Sequence, residues 1–94
     1  MIAKLKDVLR VCCDEFDVSI DEAISSSRKT ELVYCRTAFV LIAKKMFDLS
    51  NKTIGEAINK KHNSVHRMFK HQPNNKFFLM VFDRIKMKLN KFSV

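Results

Sequence analysis

Glycine and proline each occur once in this chain of 94 residues, as Gly55 and Pro73. Hairpins and tight turns depend on these residue types, because glycine reaches positive φ without steric cost and proline pre-sets φ for a turn. So few turn formers argue against paired strands. The sequence therefore predicts an all-α fold, a small bundle of about six helices in a single domain over residues 1–94. Gly55 itself is predicted to permit a close helix crossing.

The first half of the chain carries apolar residues at the spacing of amphipathic helices. A first helix is predicted over residues 2–16, with a buried face of Ile2, Leu5, Val8, Leu9, Cys12 and Phe16. Ser19 and Glu22 form a capping-box pattern that opens a short second helix. Thr30 is the predicted N-cap of a long third helix through Phe47. Its predicted core face is Leu32, Cys35, Phe39, Ile42, Ala43 and Met46.

Between Ser50 and Lys70 the pattern changes to two short helices joined by a basic turn at residues 59–61. Ser50 is a good N-cap for the first helix, whose buried stripe is Ile54, Ala57 and Ile58. The second helix begins at His62 and is stopped by Pro73. Its predicted stripe is Val65, Met68, Phe69 and Gln72, and the polar groups that project away from it are Asn63, His66, Arg67 and Lys70. This arrangement is typical of a helix-turn-helix DNA reader.

A final amphipathic helix is predicted from about Lys76 to Phe92. Its apolar stripe fits within about 100° of arc and consists of Phe78, Val81, Phe82, Ile85, Leu89 and Phe92. More apolar residues lie outside this stripe than a solvated face needs, namely Phe77, Leu79, Met80 and Met87. We expect the stripe to close over the first and third helices, and the remaining apolar groups to bury against the domain or a partner.

Charge is unevenly distributed along the chain. Residues 1–27 carry a net charge of −3, residues 28–72 carry +7, and residues 73–94 carry +4. The excess of positive charge therefore coincides with the polar loop before the third helix and with the two short helices. Such a concentration favours a polyanionic partner.

The sequence contains no pattern typical of a metal site, a redox site, an enzyme or a membrane span. The spacing of Cys12, Cys13 and Cys35 matches no metal or redox motif, so we expect buried, reduced thiols in the cytoplasm. His62 and His66 lack the glutamate of an H-E-x-x-H site, and we predict neither a metal nor a cofactor. No catalytic arrangement suggests an enzyme, and no apolar run reaches the ~18 residues of a membrane span.

The order of elements from about Leu5 to Lys70 resembles the C-terminal DNA-binding domain of the bacterial replication initiator DnaA. That domain has a small helix pair, a basic loop, a long helix and a helix-turn-helix of the Trp-repressor type. The matching residues are Arg28, Arg36, Ala43-Lys44, Ile54-Gly55 and the His62-Asn-Ser-Val65 run that opens the recognition helix. The resemblance implies a double-stranded DNA partner, in replication or transcription control.

The resemblance, the basic loop and turn, and the outward face of the recognition helix together predict site residues. The residues expected at base edges, where the start of the recognition helix enters the major groove, are Lys61, His62, Asn63 and Ser64. The residues expected at phosphates are Arg28, Lys29, Arg36, Lys44, Lys60, Arg67 and Lys70.

This chain departs from the family pattern at several positions. The turn is one residue shorter, Lys61 replaces an Asp, and Asn63 replaces a Thr. Exchanging an acceptor for a donor at Lys61 favours guanine or phosphate over cytosine, so we expect a different target sequence. The position of the family's minor-groove arginine falls at Tyr34, which leaves Arg28 or Lys29 for that role. A P-loop needs two glycines, so we expect a stand-alone module without ATPase activity and no nucleotide partner.

Two alternatives concern the final helix. Its Phe- and Met-rich surface is also compatible with a protein-interaction or homodimerisation module. As a basic amphipathic helix, residues 76–94 are compatible with a membrane surface as well, although we expect no membrane partner.

Overall fold

The computed structural model describes residues 5–90, which form α-helices without strands. The helices are α1 (Leu5–Phe16), α2 (Ile20–Ala23), α3 (Thr30–Met46), α4 (Asn51–Ala57), α5 (His62–Lys70) and α6 (Lys76–Asn90). The predicted all-α fold is confirmed. The predicted helix ends at Ile2 and Phe92 lie outside the described residues. Within residues 5–90 none of the helices has the length and apolar character needed to cross a membrane.

The long helix α3 runs through the centre of the domain and packs against the other five helices. It is buried on more than one face, because Arg36, Thr37 and Val40 are buried together with most of the predicted stripe. Met46 is the exception. Its side chain is 37% exposed, so its prediction as a core residue is wrong. It lies in the last turn of α3, which ends at Met46, at the edge of the core.

The local signals for helix starts are confirmed at two sites. Ser19 and Glu22 form the predicted capping box at α2, and Ser50 accepts a hydrogen bond from the backbone N–H of Thr53 at α4. The predicted Thr30 cap is wrong by one residue. Lys29 is the N-cap of α3 and provides no side-chain acceptor, so the helix already includes Thr30.

The final helix α6 closes over α1 and α3, as predicted. Its buried residues are Phe78, Val81, Ile85 and Leu89, while Phe82 is half-buried. On α1, Glu15 accepts hydrogen bonds from Arg84 Nε at 3.0 Å and from Lys88 Nζ at 2.7 Å. These partners lower the pKa of Glu15, with the Lys88 hydrogen bond as the largest cause. The stripe of α6 is therefore a part of the domain core, fastened by an ionic cluster.

The three cysteines are buried free thiols, as predicted. Sγ of Cys13 lies 3.7 Å from Sγ of Cys35, so the pair joins α1 to α3 through a weak hydrogen bond. Both side chains belong to the same buried cluster as Cys12.

Candidate nucleic-acid interface

The turn between α4 and α5 has a geometry that only glycine at position 55 allows. Asn59 adopts a left-handed conformation with φ of 56°, which asparagine tolerates better than most residues. The backbone N–H of Lys60 then donates to the carbonyl of Gly55 at 2.8 Å. A Cβ on Gly55 would overlap the carbonyl oxygen of Lys60 and lie 3.0 Å from Cγ2 of Val65. Gly55 permits the predicted close approach, here between α4, the turn and α5.

The first turn of α5 presents polar groups to solvent above a buried anchor. Lys61, His62 and Asn63 are exposed, Ser64 is half-buried, and Val65 beneath them is fully buried. Lys61 is the N-cap and supplies no side-chain acceptor for the first backbone N–H groups. These amides and side chains form a set of hydrogen-bonding groups at the positive end of the helix dipole.

The predicted apolar stripe of α5 is confirmed only at its start. Val65 is buried and Met68 is half-buried, whereas Phe69 is 42% exposed and Gln72 is exposed. The helix ends at Lys70, so Gln72 lies beyond it.

The basic loop of residues 25–29 is held against α3 by Arg36. The Arg36 side chain is 3% exposed and donates four hydrogen bonds to backbone carbonyls. The acceptors are the carbonyl oxygens of Ala23 at 2.7 Å, Ser27 at 2.7 Å, Ser25 at 2.9 Å and Glu22 at 3.2 Å. Burial lowers the pKa of Arg36. The prediction of Arg36 as a phosphate contact is wrong, because its guanidinium is enclosed and its donors are used within the domain.

Two residues of the turn fasten the same loop from the other side. Lys60 Nζ donates to the carbonyl of Ser25 at 2.9 Å, and Asn59 Nδ2 donates to the carbonyl of Ile24 at 3.3 Å. Burial is the largest cause of the lowered pKa of Lys60, and the nearby positive charges of Arg36 and Arg28 lower it further. The loop and the helix-turn-helix therefore form one positively charged unit.

A groove of about 410 Å³ separates the loop from α5, and we name it the loop groove. The polar and cationic residues that line it include Arg28, Lys60, Ser64, Arg67 and His71. Ser64, Arg67 and His71 share one face of α5 and its C-cap, because they are three and four positions apart. Sequence reasoning missed His71 and also Ser26, which lines the loop side. The position of His71, four residues after Arg67 and therefore on the same helix face, is the sequence signal that would have identified it.

The remaining predicted phosphate contacts lie around this unit. Lys29 and Lys70 are exposed. Lys44 is half-buried, and its Nζ donates to Oδ1 of Asn51 at 2.7 Å, beside the start of α4. Its ammonium also lies 5.7 Å from the centre of the Phe69 ring.

Tyr34 lies away from the loop groove, although it occupies the position of the family's minor-groove arginine. Its hydroxyl accepts a hydrogen bond from Asn75 Nδ2 at 2.7 Å, and its ring packs 5.6 Å from that of Phe78. The loop itself has Arg28 and Lys29 as exposed cations.

Metal chemistry has no support in the described part of the chain, where no group of three His, Cys, Asp or Glu side chains is arranged to hold an ion. His62 and His66 are both exposed on α5.

Comparison with known proteins gives a consistent result. The family described as "Bacterial dnaA protein helix-turn-helix" matches residues 5–71. Three similar proteins are each named "Chromosomal replication initiator protein DnaA". The protein of Oleidesulfovibrio alaskensis is 40% identical over 58 residues, or 62% of this chain. That of Bacteroides thetaiotaomicron is 37% identical over 62 residues, or 65% of the chain, and that of Thermosipho africanus is 33% identical over 58 residues, or 62%.

The aligned segments cover 13% of the length of each of these relatives. The match to the family runs from the first residue of α1 to the C-cap of α5, so α6 lies beyond it. It includes the capped start of α4, the Gly55 turn and the exposed first turn of α5. The chain belongs to the bacterial DnaA helix-turn-helix family, as the resemblance of its residues predicted.

Proposed function

We propose that this chain is a single DNA-binding domain that recognises a specific sequence in double-stranded DNA. The observation that carries the proposal is the hydrogen-bonded connection between the basic loop and the helix-turn-helix. Arg36 and Lys60 hold the loop so that Arg28 and the outer face of α5 line the same groove. A duplex that receives α5 in its major groove would thus meet a second set of cations without any loop rearrangement.

The start of α5 supplies the groups for reading bases. An α-helix about 10–12 Å in diameter fits a major groove about 12 Å wide, and its N-terminal residues reach the base edges first. Lys61 donates to guanine or to phosphate, and the Asn63 amide has the donor and acceptor that adenine requires. His62 and Ser64 complete the predicted base-reading set. Exposure of Lys61, His62 and Asn63 supports this assignment.

Phosphate contacts would fix the orientation of α5. The cations proposed for this role lie in the basic loop, in the turn, along α5 and beside the start of α4: Arg28, Lys29, Lys44, Lys60, Arg67 and Lys70. Lysine and arginine at phosphates add affinity that does not depend on sequence, while the base-edge contacts add specificity. The unpaired backbone N–H groups at the start of α5 favour a phosphate in the same way.

The names of the similar proteins suggest a process. Because three relatives are named as chromosomal replication initiators, we propose that this DNA binding serves control of replication. Control of transcription is the second candidate, since the same recognition would serve it.

Selection from a pool of random duplexes tests the proposal. Bound DNA is recovered from the 94-residue chain through several rounds, and the enriched sequences are measured one by one by mobility shift. We expect one enriched motif that binds at least about tenfold more tightly than its scrambled version. A chain that enriches no motif and binds all duplexes equally would contradict sequence-specific recognition.

A further inference from the structure

A second groove lies along the C-terminal half of α3, where α5 ends and α6 passes. We name it the apolar groove. It encloses about 900 Å³, within the range of ligand-binding clefts. The apolar side chains that line it include Leu41, Met46, Phe69, Phe82 and Met87. Three of them are exposed large hydrophobic residues, with exposed fractions of 37% at Met46, 42% at Phe69 and 68% at Met87.

Lysines rim the apolar groove. Lys44 and Lys45 lie on the α3 side and Lys86 on the α6 side. The ammonium of Lys44 is 5.7 Å from the centre of the Phe69 ring, and that of Lys86 is 4.9 Å from the centre of the Phe82 ring. These cation–π contacts hold positive charge directly above apolar walls. Asp83 also lines the groove, with its carboxylate 3.4 Å from Lys86.

The combination of an apolar floor and a cationic rim defines the chemistry of an occupant. The phosphates of duplex DNA pair with lysines, but DNA has no apolar side chains to fill a cleft between helices. A second copy of this chain carries a net charge of +8, so its overall charge opposes approach to the lysine rim. An amphipathic helix with one apolar face and acidic flanks packs its apolar side chains against the floor and pairs its carboxylates with the lysines of the rim.

The length of the groove sets the length of that helix. On the α6 side the groove extends from Phe82 to Asn90, roughly 13 Å at ~1.5 Å per residue. About two and a half helical turns fit beside it, which is enough for three apolar anchors at positions i, i+3 or i+4, and i+7.

We propose that the apolar groove of α3, α5 and α6 docks an acidic amphipathic α-helix from a partner protein. The apolar anchors of this helix pack against Phe69, Phe82 and Met87, and its carboxylates pair with Lys45 and Lys86. Apart from Lys44, which is also a proposed phosphate contact, the residues of this surface are separate from the proposed DNA contacts, so the inference does not depend on the proposed DNA binding.

The test uses a synthetic, fluorescein-labelled peptide of about twelve residues with side chains cross-linked to keep it helical. Its apolar positions are Leu or Phe at i, i+4 and i+7, and the other positions are mainly Glu. Fluorescence anisotropy measures its binding to the full 94-residue chain. We expect saturable binding that is lost when the Glu residues of the peptide are replaced by Lys.

Two matched variants on α6 locate the binding site. Met87→Glu places a like charge in the apolar groove and should weaken binding about tenfold or more. Met80→Glu makes the same change on the same helix, at a residue that is 53% exposed and does not line the groove. It should leave the peptide affinity nearly unchanged. Both side chains are largely exposed, so both variants should fold, which circular dichroism and unfolding midpoints verify.

A charge-swap pair tests the rim. The double variant with Lys45→Glu and Lys86→Glu should no longer bind the acidic peptide. It should bind the peptide in which the Glu residues are replaced by Lys. Absence of peptide binding to the original chain, or equal effects of the Met87 and Met80 changes, would overturn the proposal. It would also be overturned by a dimer in light scattering that Met87→Glu dissociates, since the groove would then hold a second copy. Sedimentation with phosphatidylcholine–phosphatidylglycerol vesicles that Met87→Glu abolishes would overturn it in favour of a membrane surface.

Discussion

Arg28 and Arg36 show how differently two residues of the same type act within one short segment. Arg28 is exposed and lines the loop groove, while Arg36 is buried and donates four hydrogen bonds to carbonyls of α2 and the loop. A buried carbonyl that loses its donor costs free energy, because water cannot replace the hydrogen bond. The first residue is a candidate contact and the second is the anchor that positions it.

Arg36→Met should lower the free energy of unfolding by roughly 2–4 kcal/mol, since four backbone carbonyls, one in a buried and three in partly buried hydrogen bonds, lose a charged donor. Urea denaturation followed by circular dichroism measures the change. Arg28→Met is the matched control, which should leave stability nearly unchanged and weaken DNA binding. Equal stability of the two variants would mean that Arg36 does not anchor the loop.

Base and phosphate contacts should respond differently to alanine substitution. Asn63→Ala should cost about 1–3 kcal/mol on the selected site and relax its sequence preference at one position. Lys70→Ala should weaken the selected and scrambled sites alike and reduce the salt slope by about one. Mobility shifts on both duplexes at several salt concentrations distinguish the two patterns. The division of roles fails if the two variants behave identically on both duplexes.

At the scale of elements, α6 completes the core although the family match ends before it. Phe78 is 1% exposed and packs against Tyr34 and Phe16, which lie on α3 and α1. Asn75 holds the start of the helix, because its Oδ1 accepts the backbone N–H of Phe78 at 2.8 Å. The helix is therefore a structural element first, and its outer side is available for contacts.

Phe78→Ala should destabilise the domain by about 3–5 kcal/mol, the usual cost of truncating a fully buried Phe. Phe77→Ala removes the same atoms from a neighbouring side chain that is 50% exposed, and it should cost much less. Thermal unfolding of the two variants gives the comparison. A Phe78→Ala protein as stable as the original would mean that α6 detaches without loss of the core.

The ionic cluster between α1 and α6 should make stability depend on pH. Hydrogen bonds from Lys88 and Arg84 hold the pKa of Glu15 below its ordinary value of 4.5. A carboxylate with a lowered folded-state pKa contributes stability above that ordinary value and loses the contribution as pH falls through the folded-state pKa. Glu15→Gln should therefore be less stable than the original chain at pH 7, and the difference should shrink as the pH falls below 4.5. Urea midpoints at pH 7 and at about pH 3 measure this change. A difference that stays constant with pH would exclude Glu15 ionisation as its source.

At the scale of the whole molecule, the uneven distribution of charge favours one orientation of the domain toward a polyanion. The segment with net charge −3, residues 1–27, contains α1 and α2, whereas the segment with +7 contains the loop, α3, α4 and α5. A duplex is attracted most strongly to the part of the domain that contains the loop, α4 and α5, which favours the orientation that presents α5.

Binding should therefore weaken steeply with salt. If about five phosphates are neutralised, log K should fall against log salt with a slope of roughly −4 to −5. Fluorescence anisotropy of a labelled duplex across a range of salt concentrations gives the slope. A slope near zero would contradict a DNA-binding role for the basic face.

The sequence by itself determined the helices, because their signals are local. Apolar spacing, the Ser19 and Ser50 caps and the scarcity of Gly and Pro each act within a few residues of the chain. The exposed start of α5 also followed from the sequence, since a helix with a buried Val65 must turn Asn63 toward solvent.

Only the tertiary structure decided which cations are available for binding. In the sequence Arg28 and Arg36 look equivalent, but the burial of Arg36 depends on carbonyls up to 14 residues away. The loop groove depends on a hydrogen bond from Lys60 to the carbonyl of Ser25, across 35 residues. The apolar groove likewise arises where α3, α5 and α6 meet. Contacts between residues distant in the chain have no local pattern, so they follow from packing and not from periodicity.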